Sequence, residues 1–111
     1  MIEHWIETDL KKMPGVQQLP GRFFSQDEDA NKIGVILTDG GEAVEISGSV
    51  GASVVRGDGT TLTVSGDSDS NRAWVVLPDD AYAVVGKIGI FIKLETATEV
   101  TTIGAVECQV R

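Results

Sequence analysis

The chain of 111 residues has one cysteine, one histidine, three prolines and few aromatics (two Trp, one Tyr and three Phe), so little chemistry is open to it. With Cys108 alone no intrachain disulfide can form, which fits synthesis in a reducing cytoplasm. A Ser/His/Asp or Cys/His site needs a base held within hydrogen-bond reach of its nucleophile. The sole histidine, His4, lies in an N-terminal segment outside the expected core, a poor place to hold one. No stretch approaches the ~18 apolar residues of a membrane-spanning helix. The N-terminus, MIEHWIETDLKK, carries acids early and lacks an apolar signal core, so secretion by that route is not expected. Cations are scarce too. Nine Lys and Arg against 17 Asp and Glu give a net charge of −8, which repels phosphate backbones and anionic membranes. No nucleic-acid or membrane partner is expected, and a partner with a basic face is favoured.

What is present is β-structure. From Lys32 the apolar period is two, and turn signals punctuate it: TDGGE at 38–42, RGDGT at 56–60, GDSDSN at 66–71 and ETATE at 95–99. Strands are expected over Ile33–Leu37, Ala43–Ile46, Val50–Arg56, Thr61–Ser65, Arg72–Leu77, Ile88–Glu95 and Val100–Val110. Ile88, Ile90, Ile92 and Leu94 alternate strictly, which places their strand over the core. Pro78-Asp79-Asp80 opens a single helical turn. The fold class expected is all-β: an immunoglobulin-like antiparallel β-sandwich of about seven short strands over residues 21–111, with a small barrel as the alternative. Residues 1–20 are expected as an extended N-terminal arm, because Met13-Pro14-Gly15 and Leu19-Pro20-Gly21 interrupt regular structure. Ile2, Trp5, Ile6 and Leu10 fall at i, i+3, i+4 and i+8, the spacing of a turn or two of helix once docked.

Motifs that resemble sites have plainer explanations. Asp27, Asp29 and Asn31 occupy the first, third and fifth places of a calcium loop, as do Asp67, Asp69 and Asn71. The sixth place holds Lys32 or Arg72 where glycine is needed, and the twelfth Thr38 or Pro78 where glutamate is. Arg56-Gly57-Asp58 spells an adhesion tripeptide, but Asp58-Gly59 is the corner of a hairpin. Asp79 and Asp80 read as cap residues, and Cys108, in phase with Val106 and Val110, reads as a small buried hydrophobe. The 13 glycines are scattered, with no phosphate-binding loop. No cofactor, no metal and no enzymatic activity are expected. The expected binding residues are Ile2, Trp5, Ile6 and Leu10 in the arm, with Phe23 and Phe24 beside it, because a rigid aromatic among aliphatics is the composition of a binding hot spot. Phe91, on the non-core face of its strand, is the candidate inter-subunit contact.

Four stretches are similar to head-fibre proteins of tailed phages: LPGRFFSQDEDANKIGVILTDGGEAVEISG, VVRGDGTTLTVSG, NRAWVVLPDDAYAVVGKIGIFIKL and TTIGAVECQVR, together covering roughly residues 19–111. Their order also resembles the N-terminal domain of phage baseplate upper proteins. The resemblance implies a virion structural protein without catalytic residues, bound to the major capsid protein or other virion proteins and assembled as a homotrimer. The chain ends on its last strand, so the expectation is a minimal decoration protein, or one whose fibre shaft resides on another polypeptide.

Overall fold

The computed structural model describes residues 2–11, 17–24 and 31–111, the middle stretch as backbone only. Among the described residues nine strands follow in chain order: β1 (Ile2–Asp9), β2 (Gln17–Phe24), β3 (Asn31–Asp39), β4 (Glu42–Ala43), β5 (Ser49–Val55), β6 (Thr61–Asp69), β7 (Arg72–Val76), β8 (Gly86–Glu95) and β9 (Val100–Val110). They form one sheet in the order β1-β3-β7-β6-β5-β8-β9-β2, with the short β4 paired to β3. Six of the seven strands expected from the alternation are present, as β3 and β5 to β9; of the expected Ala43–Ile46 only Ala43 is in a strand, the two-residue β4.

Three expectations are corrected. First, Ile2–Asp9 is a strand rather than an arm with helical turns; it pairs in parallel with β3, Trp5 lying opposite Gly34 and Ile6 opposite Val35. Second, the sheet is not wholly antiparallel, because β2 also pairs in parallel, with β9. Third, the single sheet curls until it is nearly barrel-shaped, in place of the two separate layers of an immunoglobulin-like sandwich. The curl has a local cause in β6. Its first half, Thr61–Ser65, pairs with β5, and its second half, Gly66–Asp69, leaves β5 to pair with β7. Part of what reads as the polar loop GDSDSN is therefore strand, and the hairpin turn shrinks to Ser70-Asn71. At Gly66 a Cβ would run into the carbonyl oxygen of Trp74 and sit 2.8 Å from Val75 Cγ1, so the crossover requires glycine.

The inward faces supply one core. Ile33, Val35 and Leu37 of β3, Val50, Ala52 and Val54 of β5, Ile88, Ile90 and Ile92 of β8, and Val106, Cys108 and Val110 of β9 are all buried in it. In β9 a bulge at Ile103 lets two successive residues, Ile103 and Gly104, face inward. Gly104 then lies so close to the opposite wall that a Cβ would be 2.5 Å from Val35 Cγ2 and 3.2 Å from Ile6 Cδ1. A single 3-10 turn, Asp79–Tyr82, follows Pro78 as expected and buries Ala81 and Tyr82. Fully buried Asn31 donates from Nδ2 to the Tyr82 hydroxyl at 2.9 Å, and its Oδ1 lies 3.1 Å from His4 Nε2. His4 thus ties β1 to the core instead of lying in a loose terminus.

One polar atom breaks the pattern. Thr8 is 2% exposed, and its hydroxyl has no hydrogen-bond partner. A buried hydroxyl left unpaired costs on the order of 1–3 kcal/mol. Thr8→Val keeps the shape and removes the hydroxyl, so it is expected to stabilise the protein by roughly 1 kcal/mol in urea denaturation. A loss of stability would show that the hydroxyl is satisfied in solution.

Candidate functional site

The outer face of β1, β3 and β7 gathers the side chains that stand out from this acidic, aliphatic chain. Alternation decides who is there. Ile33 and Val35 point inward on β3, so Gly34 points out; Ala73 and Val75 point inward on β7, so Trp74 points out. The register then aligns Trp5, Gly34 and Trp74 in one row across three strands. Without a side chain at 34, the Trp5 ring lies over the β3 backbone, where any Cβ would meet its six-membered ring. Trp5 and Trp74 meet edge to face, centroids 6.2 Å apart at 68°. This is the favoured geometry for two aromatic quadrupoles.

Cations cover the rings. Lys32 Nζ stands 4.9 Å from the Trp74 ring, and the Arg72 guanidinium 5.5 Å from that of Trp5. Glu3 accepts from the Trp5 indole N–H at 3.1 Å and lies 3.8 Å from Lys32 Nζ. The neighbouring rows place Glu7, Ile36, Arg72 and Asp69 side by side, and Glu3, Lys32 and Val76 likewise. Trp5, Ile36, Trp74 and Val76 are all half-buried, so the patch is an apolar centre with a charged rim.

The expected binding residues are dispersed by the fold. Trp5 is at the centre of this patch, while Ile2 and Leu10, 43% and 40% exposed, lie at either end of the β1 segment. Ile6 faces the opposite way and is a core residue, 7% exposed, so it does not belong to a surface with Trp5. Phe23 and Phe24 lie in β2 opposite Gln109 and Val110; their side chains are outside the described residues. Phe91 is half-buried on the outer face of β8, between Ser53 and Ala105, well away from the tryptophans in strand order. Sequence reasoning missed Trp74, together with Lys32, Gly34 and Arg72. The phase of Ala73 and Val75 was the signal that places Trp74 outside.

Asp9, at the end of β1, fixes this strand to the β3–β4 hairpin. Its carboxylate accepts the N–H of Gly40 at 3.0 Å, Lys11 at 2.9 Å and Gly41 at 2.9 Å, and the Thr38 hydroxyl at 3.2 Å. Gly40 and Gly41 both have positive φ, 61° and 89°, which frees their N–H groups to point at one acceptor. These donors, Gly40 first and Lys11 next, pull the Asp9 pKa from 3.8 down to about 2, against the opposing effect of desolvation. Because the folded value is the lower one, the stabilisation is complete above pH 3.8 and is lost as pH falls towards 2. The stability gap between wild type and Asp9→Asn is therefore expected to narrow over that interval. Carboxyl NMR finding Asp9 at an ordinary aspartate value would contradict the latch.

The Arg-Gly-Asp turn is engaged internally. Asp58 accepts from the Thr60 hydroxyl at 2.6 Å and the Thr60 N–H at 3.0 Å, which lowers its pKa. Arg56 donates to Thr60 Oγ1 at 2.8 Å and to the Asp80 carbonyl at 3.3 Å. The hairpin thus uses the arginine as well as the Asp-Gly corner. Of the second calcium-like run, Asp67 and Asp69 lie along an extended strand, while Asn71 donates to the Leu37 carbonyl at 3.2 Å. A shallow groove of about 260 Å³ on the outer side of β5 and β6 is lined mainly by Ser49, Gly51, Ser53, Thr63 and Ser65, with Lys93 and Glu95 at one end.

No family model matches this chain, and no curated protein matches it. Solved structures do. The fold is similar to that of the N-terminal domain of phage TP901-1 ORF48, with a TM-score of 0.56 over 99% of this chain and 97% of that one, at 13% sequence identity.

Proposed function

We propose that this chain is a non-enzymatic structural protein of a bacteriophage virion, a head-fibre base or capsid decoration protein carried on the particle surface. The observation that carries this reading is the fold likeness to a phage protein domain, which spans both chains almost end to end. The similarity of residues 19–111 to head-fibre proteins supports it from the sequence side. The partners are the major capsid protein or other virion proteins, and the assembly is a homotrimer with Phe91 at the subunit contact. The same domain at the tail tip, as a baseplate component, is the second reading, favoured by the motif order that resembles baseplate upper proteins.

Quantitative mass spectrometry of purified particles tests both. A head-surface protein is expected at a copy number that scales with the major capsid protein, whereas a tail-tip component appears at the much lower level of tail proteins. Absence from particles would contradict the virion reading altogether. Native mass spectrometry of the isolated chain is expected to give a trimer, and Phe91→Asp a monomer.

A further inference from the structure

We propose that the outer face of β1, β3 and β7, centred on Trp5 and Trp74, is where this domain seats on the particle, and that it receives a protein surface with an apolar centre and a basic rim. The inference rests on the virion reading above and names the contact that reading leaves open. Both tryptophans of the chain are on this face, half-buried and in contact with each other, although among the described residues the remaining outward positions of the sheet are mostly small or polar. Tryptophan and arginine at the centre of a patch are what binding hot spots are made of.

Charge selects the occupant. Glu3 and Glu7 flank the indoles on the β1 side, and Asp67 and Asp69 on the β6 side, Asp67 being opposite Trp74 and Asp69 opposite Arg72. Lys32 and Arg72 are set against these carboxylates, and both are drawn over the rings. The surface offered is therefore apolar in the middle and acidic outside, on a chain of net charge −8. A second copy of the chain would set carboxylates against carboxylates. A sugar needs an open ring face to stack on, but Trp5 has the Gly34 backbone beneath it and Arg72 over it, and Lys32 covers Trp74. A basic rim on a protein partner instead meets the carboxylates of Asp67 and Asp69 beside Trp74 and Arg72.

The chain's two tryptophans both lie on this face and serve as its probe once the emission of particles alone is subtracted. The full chain is titrated with particles grown from a phage lacking this gene. Wild type is expected to show a blue shift of emission and protection from acrylamide quenching, weakening as salt is raised. Trp74→Ala is expected to bind at least ~10-fold more weakly, the loss typical of a hot-spot residue. The double variant Asp67→Lys/Asp69→Lys is expected to associate more slowly. Trp74→Phe, which keeps an aromatic in place, guards against loss of fold, as do unchanged circular dichroism and melting. Variants that bind and incorporate like wild type would overturn the face while leaving the virion reading intact. A chain that neither binds nor occurs in particles overturns both. A concentration-dependent shift without particles, or a shift on adding neutral dextran, would assign the face to self-association or to sugar and so overturn the proposal.

Discussion

Gly66→Val is expected to cost ~3 kcal/mol or more, a large share of the ~5–15 kcal/mol that holds a domain of this size together. The new Cβ would press on the Trp74 carbonyl oxygen, on Val75 Cγ1 at 2.8 Å and on Val50 Cγ1 at 3.1 Å. Of these the carbonyl belongs to the backbone of β7 and cannot rotate away. Nor can the site relax by sliding, because Gly66 is the first residue of β6 to pair with β7 after Ser65 completes the pairing with β5. Forcing that junction apart separates the two halves of the sheet. Thr63→Val, three residues earlier on the same strand and facing solvent, serves as control and is expected to change stability by less than about 0.5 kcal/mol. Equal, small effects in chemical denaturation would mean that the crossover is not where the sheet is pinned.

Gly34→Val sets two expectations of opposite sign against each other. Propensity favours the change, because glycine inside a strand is ~0.5–1 kcal/mol worse than alanine and valine is a strong strand former. Packing opposes it. A side chain at 34 takes the place of the Trp5 ring, so the indole must leave its seat and its contact with Trp74. Packing is expected to win, with a net loss of about 1–3 kcal/mol, a red-shifted emission as Trp5 moves into water, and loss of particle binding. A more stable protein with unchanged emission would show that the ring is not held by the glycine.

These two glycines also show where the sequence stops being legible. The alternation of Ile88, Ile90 and Ile92, 1%, 0% and 0% exposed, marks a core strand because its period of two is unbroken. β1 does not read that way. Its inward-facing residues His4, Ile6 and Thr8 are mostly polar and Trp5 faces outward, while Ile2, Trp5, Ile6 and Leu10 satisfy a helical spacing. What makes Ile2–Asp9 a strand is long-range: the free edge of β3, the Asn31 contact at one end and the Asp9 latch at the other. β2 carries Pro20-Gly21 within it, which reads as a break. It tolerates them because it stands at the end of the sheet and its register with β9 shifts between Gln18 and Phe23. The second half of β6 is hidden by its composition, Gly-Asp-Ser-Asp being turn-forming residues that here pair with β7. The candidate site was half legible. Trp5 is conspicuous as an aromatic outside the core pattern, but its partner Trp74 is disclosed only when the phase of β7 is carried through and the register sets it beside Gly34.

The most direct measurement is a cryo-electron microscopy reconstruction of the particle with this protein in place. The expected result is density for the curled sheet on the particle surface, with Trp5 and Trp74 buried against a neighbouring chain that presents lysine or arginine to Asp67 and Asp69. Density in which the β1–β3–β7 face looks out to solvent, or a particle with no density for the domain at all, would contradict it.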